Sequence, residues 1–274
     1  MAISAADVAK LRKMTSAGMM DCKNALEEAN GDFERAVEII REKGKLVAAK
    51  RADRDANEGV VLAKASSDKK SGAILSLNCE TDFVAKNADF INVANKMLEI
   101  ALQQKPKNLD ELKNQPFESI TIKEKINEQI AVIGEKIDLS YYDLITGDVV
   151  VAYIHAGNKL ASLVAFQGNI DEITGKDVAM QVAAMSPVAI DKDDVPADVI
   201  EKELEIAREK ARNEGKPENM LDKIAQGRLQ KFYQESTLLN QEFIKDNKMT
   251  VRQYIESKHP GAKVIAIRRY SLSD

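Results

Sequence analysis

The residues best suited to chemistry lie in one short segment, residues 78–84, with the sequence NCETDFV. The segment follows an apolar run and precedes a helical pattern, so we expect it where a strand hands over to a helix. Cys79 lies beside carboxylates, and His155 is one of only two histidines, which is compatible with a Cys-His-Asp hydrolase. Without a local catalytic signature, a buried thiol and an ordinary loop histidine are the simpler interpretation.

Asp82 and Phe83 suggest a different chemistry, the recognition of a partner protein. Binding residues concentrate on loops that a rigid scaffold holds in place. A ring can wedge between packed side chains of a partner, and a neighbouring carboxylate can perturb a charge or a metal shell. Phe83 could equally be a hydrophobic staple that fixes the entry to the next helix. Spacing alone leaves its exposure open.

Other catalytic and metal-binding signatures are absent from the sequence. There is no G-x-x-x-x-G-K-[ST] loop, no G-x-G-x-x-G after a strand and no H-E-x-x-H helix. Cys22 and Cys79 are far apart and do not share the spacing of metal ligands. We therefore expect free thiols, no bound metal, no cofactor and no enzymatic activity.

Composition narrows the class of protein further. The 274 residues are 44% hydrophobic and 31% charged, with a formal net charge of -4. A dedicated nucleic-acid-binding protein would usually be strongly basic. No apolar run approaches the roughly 20 residues of a membrane span, and no secretory signal is visible at the N-terminus. These patterns predict a cytoplasmic protein that contacts neither nucleic acid nor membrane directly.

The elements that position these residues begin with three short helices over residues 1–44. Residues 15–18 break the first helix, Asn30 and Gly31 end the second, and the third ends near Gly44. Helices this short are marginal in isolation, so we expect them to pack together as one module.

Two features of this part of the chain carry further expectations. Methionine is adaptable at interfaces and common as core filler, so we expect one of Met19 and Met20 to be buried and the other exposed. Residues 45–58 are charged and Ala-rich and are predicted to form a partly helical linker. Its lysines and arginines are expected to form a solvated face.

The order strand, turn, strand, helix occurs twice after the linker. Residues 59–146 form one predicted subdomain, and residues 147–186 with 236–274 form a second. This repetition predicts two related antiparallel sheet and helix subdomains in an α+β protein. At the strand-to-helix junction the second unit has only residues 167–169, whereas the first has the longer segment 78–83. A shared scaffold with one elaborated junction points to that junction as functional.

Residues 187–235 interrupt the second unit with two further helical patterns. A turn at residues 213–217 separates them, which predicts an antiparallel helical hairpin inserted before the final strand. We expect this hairpin to project from the body of the protein.

Two long motifs resemble the bacterial elongation factor Ts family, whose members are guanine nucleotide exchange factors for elongation factor Tu. One motif is LRKMTSAGMMDCK at residues 11–23, followed by ANGD at 29–32, and the other is NCETDFVAKN at 78–87. The likeness extends over nearly the whole chain, including YIHAG at 153–157 and EGKP at 214–217. It implies a translation factor without bond chemistry of its own, in which nucleotide and Mg²⁺ belong to the partner.

The resemblance also implies roles for individual parts. The N-terminal module would have a ubiquitin-associated-type fold and dock on the nucleotide-binding domain of elongation factor Tu. The inserting segment would lie beside the Mg²⁺ site of that partner, with Phe83 as a wedge between helices and Asp82 displacing the Mg²⁺ environment. The hairpin is similar to a segment that mediates dimerisation in some members. The implied inserting residues are Thr81, Asp82, Phe83 and Val84, and the further contact residues are Leu11, Arg12, Met19, Met20 and His155.

Two departures from the family pattern are visible. Ser16 stands where many relatives have glycine, and the chain ends soon after Tyr270, where some relatives continue into another helical module. The resemblance therefore does not carry the partner contact of that module over to this chain. The alternative function is a non-catalytic scaffold that binds other proteins through its three-helix module.

Overall fold

The computed structural model describes residues 3–15 and 17–273, and the chain forms helices and small antiparallel sheets within them. Three helices come first, and two subdomains follow. The N-terminal elements are α1 (Ala5–Thr15), α2 (Met19–Glu28) and α3 (Phe33–Lys50). The first subdomain has β1 (Glu58–Ala65), β2 (Ser71–Cys79), α4 (Asp82–Ala85), α5 (Ala88–Gln104), α6 (Leu109–Lys113), β3 (Pro116–Phe117), β4 (Ile120–Thr121), α7 (Ile122–Ile133) and β5 (Ile137–Thr146). The second has β6 (Val149–Ile154), β7 (Leu160–Gln167), α8 (Glu172–Met185), α9 (Ala197–Asn213), α10 (Leu221–Ser236), β8 (Glu242–Phe243), β9 (Asp246–Thr250), α11 (Val251–Lys258) and β10 (Lys263–Ser271). The predicted α+β class is confirmed.

The three-helix module has a small core of its own. Leu11, Cys22, Leu26 and Ile40 are among the side chains buried between its helices. The predicted break after α2 is present, because Gly31 adopts a positive φ and its N–H donates to the Leu26 carbonyl at 2.9 Å. Ser16, at the predicted break between α1 and α2, lies outside the described residues.

The prediction that α3 ends near Gly44 is wrong, because the helix continues to Lys50. Gly44 is buried where α3 crosses α7. A Cβ atom at this position would lie 3.1 Å from the Asn127 carbonyl oxygen and 3.2 Å from the Ala131 Cβ. This glycine therefore allows a close approach of two helices. The predicted linker, 45–58, begins inside α3 and is irregular only after residue 50.

We expect Gly44→Leu to destabilise the protein by about 1–3 kcal/mol, because the added side chain has no room between α3 and α7. The matched change Gly227→Leu in α10 adds the same atoms at a glycine with no atom within 4 Å of its Cβ position. That change should be neutral or stabilising by up to about 1 kcal/mol, since glycine is a poor helix former. Urea unfolding of both variants measures the difference, and equal midpoints would contradict the close packing at Gly44.

The two subdomains share one topology, and the repeat is longer than the predicted one. The strand orders are β1-β2-β5 and β6-β7-β10, each antiparallel with the second strand in the middle. In each subdomain a backing helix follows the second strand, and a two-stranded hairpin precedes the next helix. Capping boxes at Thr121 and Thr250 begin those helices, α7 and α11. The common unit is therefore strand, strand, helix, hairpin, helix, strand.

The sheets pack against each other and are covered by helices on their outer faces. Val61 and Ile74 from the first sheet meet Val150 and Leu163 from the second in a shared core. The opposite face of the first sheet, with Leu75 among its side chains, packs on α5 and α7. The central strands β2 and β7 are buried on both faces, which explains their continuous apolar sequence.

The predicted helical hairpin is formed by α9 and α10. Ala207, Ala211, Ala225 and Leu229 are buried between the two helices, which pack mainly on each other. The hairpin occupies the position between backing helix and small hairpin that α6 occupies in the first subdomain. It extends from the second subdomain without contributing to its sheet.

Candidate functional site

The junction between β2 and α5 contains one extra turn of helix, α4, which its counterpart between β7 and α8 lacks. The Thr81 hydroxyl caps this turn and accepts from the Val84 N–H at 3.5 Å. Ala85 is buried and Val84 packs against the core of the first subdomain, whereas Phe83 is 83% exposed. Phe83 is therefore no hydrophobic staple, and its ring is available for contact.

Two carboxylates fix the backbone before this turn, and we call the pair the Glu80–Glu135 clamp. Glu135 accepts from the N–H groups of Glu80 and Thr81 at 3.1 and 3.0 Å and from the Thr81 hydroxyl at 2.7 Å. In return, Glu80 accepts from the N–H of Lys136 at 2.6 Å. Each carboxylate thus satisfies backbone donors beside the other, which pins the start of α4 to the segment between α7 and β5.

The clamp is also tied to the end of α3. The guanidinium of Arg51 donates to Glu80 at 2.8 Å, and Arg54 does so at 3.4 Å. The Lys136 N–H, followed by the neighbouring arginines, holds the pKa of the largely buried Glu80 carboxyl below its usual range. Lys136 itself donates through Nζ to the carbonyls of Ala52 and Arg54. The expectation that this charged stretch is merely a solvated face is wrong for Arg51.

Asp82 lies on the surface beside Phe83. Its carboxylate accepts from Lys86 Nζ at 2.6 Å, one turn further along the chain. The hydrogen bond from Lys86, with a smaller contribution from the charge of Lys159, lowers the pKa of Asp82. Asp82 is therefore ionised at neutral pH, and its negative charge is presented next to an exposed ring.

The turn between β6 and β7 carries His155 to the same edge of the molecule. His155 is exposed, and its Nδ1 lies 3.0 Å from the Tyr153 hydroxyl. In this turn Lys159 pairs with Glu58 at 2.8 Å, and Glu58 is the residue opposite Cys79 in the sheet. The charge of Lys159 also reaches Asp82. The structure thus brings the turn that carries His155 alongside the start of α4.

Cys79 does not have the environment of a catalytic nucleophile. The side chain is fully buried, and its thiol donates to the Thr81 carbonyl at 3.2 Å. Burial, followed by the charge of Glu135, raises the pKa of the Cys79 thiol to about 12. His155 contacts Tyr153 instead, so the structure does not assemble the Cys-His-Asp arrangement.

We expect iodoacetamide at pH 8 to modify Cys79 roughly a hundredfold or more slowly in the folded protein than in the protein unfolded in urea. In the folded protein little of the thiol is ionised, and the sulfur is buried away from the reagent. A thiol pKa of about 12 means that the reaction should still accelerate as the pH rises above 9. Peptide mass spectrometry measures the rate at Cys79. Rapid modification of the native protein, with loss of a hydrolytic activity, would restore the hydrolase hypothesis.

The corner of α1 and α2 presents several predicted contact residues, with two corrections. Met19 and Met20 are 53% and 63% exposed, so the expectation that one of them is buried is wrong. Both precede Cys22, and the helix turns that cysteine and Leu26 towards the core. Arg12 is exposed, but Leu11 is fully buried in the module. Leu11 therefore stabilises the module and does not offer its side chain to a partner.

A groove of about 1130 Å³ lies between the module and the first subdomain. Met14 and Lys13 of α1 line one wall, Phe83 and Val84 another, and Val132 lies at the end of α7. Met14 and Val132 are 59% and 40% exposed. An elongated, partly apolar partner surface could contact the module and α4 together here.

Sequence reasoning missed the residues that hold α4 in place. Glu135 is 54 residues from Thr81 in the chain, and its role depends on the pairing of β2 with β5. The visible signal was Gly134, which ends α7 in a left-handed conformation immediately before Glu135.

In residues 3–15 and 17–273, no group of three or more His, Cys, Asp or Glu could hold a metal. No helix in that part of the chain is long and apolar enough to cross a membrane.

Comparison with known proteins decides the family. The family described as Elongation factor TS matches residues 80–274. Elongation factor Ts of Porphyromonas gingivalis is 52% identical over 275 residues, covering 100% of this chain and 99% of the relative. This chain belongs to the elongation factor Ts family. The elongation factor Ts proteins of Amoebophilus asiaticus and Christiangramia forsetii are 53% and 50% identical, each covering 98% of both chains.

Membership of the elongation factor Ts family confirms the resemblance drawn from the two motifs. It also confirms the predicted assignment to protein biosynthesis, among translation elongation factors. The family match begins at Glu80, so it includes the clamp, α4, the part of the first subdomain that follows β2 and the whole second subdomain. The curated relatives extend the similarity through the three-helix module.

Proposed function

We propose that this chain accelerates release of GDP from elongation factor Tu by inserting Asp82 and Phe83 beside the Mg²⁺ and nucleotide site of that partner. One observation carries the proposal: a phenylalanine 83% exposed on a single helical turn whose backbone is fixed by the Glu80–Glu135 clamp. An exposed large ring on a rigid support is pre-organised for insertion, because little conformational entropy is lost on binding.

The inserted residues divide the work according to their surroundings. Phe83 acts as the wedge between partner helices, and Thr81 and Val84 hold the turn from which its ring projects. Asp82 brings an ionised carboxylate towards the Mg²⁺ environment, and must exchange its contact with Lys86 for a partner contact. Arg12, Met19 and Met20 dock the module on the nucleotide-binding domain. His155 adds a contact from the neighbouring turn.

The energetic requirement is modest. GDP and Mg²⁺ are held largely by phosphate and metal contacts. The factor must bind the nucleotide-free partner more tightly than the loaded one. By linkage, bound nucleotide then lowers the affinity of the partner for the factor by the same ratio by which the factor lowers its affinity for nucleotide. Weakening the binding of the nucleotide by about 4 kcal/mol corresponds to a loss of roughly a thousandfold in affinity. The factor needs no bond chemistry, metal or cofactor of its own for this.

The direct test is release of a fluorescent GDP analogue from elongation factor Tu, with and without this protein. We expect a strong acceleration that saturates with the concentration of the factor. Excess Mg²⁺ should oppose the acceleration, because it favours the loaded form of the partner. Release at the intrinsic rate, with binding demonstrated separately, would contradict the proposed function.

The exposed methionine corner also favours the alternative function, a scaffold that binds proteins through the three-helix module. The two functions differ in one measurement. A scaffold would bind elongation factor Tu or another protein without changing the rate of GDP release. Removal of residues 1–44 would then abolish all binding, whereas an exchange factor should retain weak contacts through α4.

We further propose that the α9–α10 hairpin is where two copies of this chain associate. The hairpin carries a groove of about 320 Å³ lined by Ile206, Leu229 and Phe232, with charged residues around it. Analytical ultracentrifugation should show a concentration-dependent dimer that Phe232→Glu weakens. A monomer at every concentration would contradict this association.

A role in translation leads us to propose a cytoplasmic location without direct contact to nucleic acid or membrane. The supporting observation is a formal net charge of -4 with both signs interspersed. Binding to labelled RNA, or to vesicles of anionic lipid, at physiological salt would contradict this part of the proposal.

A further inference from the structure

The corner between α1 and α2 concentrates exposed sulfur. Met14, Met19 and Met20 are 59%, 53% and 63% exposed, more than any other methionine in the described part of the chain. Met185 and Met220 follow at 44% and 40%, and they lie in the second subdomain and its hairpin. Three thioethers within seven consecutive residues are thus open to solvent on one small module.

The packing of the module keeps these side chains outside. Leu11 and Cys22 are fully buried and fill the space beneath the corner. The core therefore has no room for the methionine side chains, and they stay on the surface after oxidation as well. Met14 also lines the groove that contains Phe83. A chemical change at this corner would alter the surface that we assign to docking.

The thiols, which would otherwise react first, are sheltered. Cys22 and Cys79 are both fully buried. Burial also raises the pKa of Cys79, so the reactive thiolate is scarce there. Susceptibility to oxidation follows exposure and thiolate character, so the exposed methionines become the accessible sulfur of the folded protein.

We propose that Met14, Met19 and Met20 form an oxidation-sensitive site, where peroxides convert the thioethers to sulfoxides and thereby weaken docking on elongation factor Tu. In each step a sulfur lone pair attacks one oxygen of hydrogen peroxide, an S–O bond forms and the O–O bond breaks. The sulfur is oxidised by two electrons. The departing hydroxide takes the remaining proton and leaves as water. The effect on docking rests on the proposed function, whereas the pattern of oxidation does not.

A sulfoxide replaces an apolar, flexible contact with a polar and chiral one. Burying that polar group against a partner without a hydrogen bond is unfavourable, and an affinity loss of about tenfold is expected. Methionine sulfoxide reductases reverse the modification. Treatment with both reductases should therefore restore the affinity of the oxidised protein.

The first experiment follows oxidation site by site in the folded full-length chain. Hydrogen peroxide is added in graded amounts, and peptide mass spectrometry measures the gain of one oxygen at each methionine. The three corner methionines should react on the order of tenfold faster than the fully buried Met97, and faster than Met185 and Met220. Equal rates at the corner and at Met185 and Met220 would overturn the site.

The second experiment measures affinity for untreated elongation factor Tu after catalase has removed the peroxide. The control is the triple variant Met14→Leu, Met19→Leu, Met20→Leu, compared before and after peroxide with its own untreated sample. The wild type should lose about tenfold and the variant should not change. An equal loss in the variant would overturn the proposal. Absence of exchange by untreated wild type would instead count against the proposed function.

Discussion

Replacement of Phe83 by alanine should reduce the acceleration of GDP release by about 10- to 100-fold. Central aromatic residues of an interface typically contribute 2 kcal/mol or more, and 1.4 kcal/mol is a factor of ten. Because the ring is 83% exposed in the free protein, its removal leaves no cavity and should not lower the stability. Stopped-flow release of a fluorescent GDP analogue gives the rate, and thermal unfolding checks the fold.

A matched control for this change is Ile173→Ala. Ile173 is 74% exposed on the first turn of α8, where the second subdomain has no counterpart of α4. The variant also removes a large exposed apolar side chain, so it controls for any general loss of surface hydrophobicity. Its exchange rate should match that of the wild type. If Phe83→Ala also exchanges at the wild-type rate, the wedge hypothesis is wrong.

Replacement of Glu135 by alanine should lower the rate of stimulated nucleotide exchange by about tenfold, although Glu135 is not proposed to touch the partner. The change leaves the N–H groups of Glu80 and Thr81 and the Thr81 hydroxyl without their acceptor, which costs about 1–3 kcal/mol. The start of α4 should become mobile, and insertion of Phe83 would then lose conformational entropy as the turn becomes ordered. Glu135 is thus a positioning residue.

Three measurements separate positioning from a general loss of stability. Hydrogen exchange should accelerate at the amides of Glu80 and Thr81 in Glu135→Ala, with the module unchanged. Glu135→Gln keeps an acceptor oxygen and should restore part of the exchange rate. The control Glu172→Ala removes an exposed carboxylate of α8 that pairs with Lys69, and its rate of nucleotide exchange should equal that of the wild type. Wild-type exchange in Glu135→Ala would contradict the positioning role.

Local sequence signals predicted much of the fold because the responsible forces act within a few residues. Asp32 accepts from the N–H groups of Glu34 and Arg35 at the start of α3, and α7 begins at a capping box and ends at Gly134. Apolar residues also recur at helical spacing along the buried face of α5. The elaborated junction was also visible, since the comparison of two repeats needs only the sequence.

The errors concern residues whose role depends on distant parts of the chain. Gly44 resembles a helix terminator, but it is retained inside α3 because α7 packs against it. Glu135 has no local motif, and acts only because β2 and β5 are neighbours in one sheet. The exposure of Phe83 was undecidable from spacing, since a staple and a wedge share one pattern. Only the packing of the three helices shows that Leu11 is buried whereas Met20 is exposed.

The matching positions of α6 and the α9–α10 hairpin have a consequence for how this architecture tolerates change. Each lies between a backing helix and a small strand pair, outside the hydrogen-bonded sheets. The five residues of α6 and the much longer hairpin occupy equivalent places, so the flanking framework accepts very different lengths there. Loop closure entropy grows only slowly with length, which makes such exchange thermodynamically inexpensive. In the second subdomain this point therefore accommodates a long insertion without disturbing the sheet, whereas a graft in the first would have to keep Leu112 of α6, which lies in the core beneath that sheet.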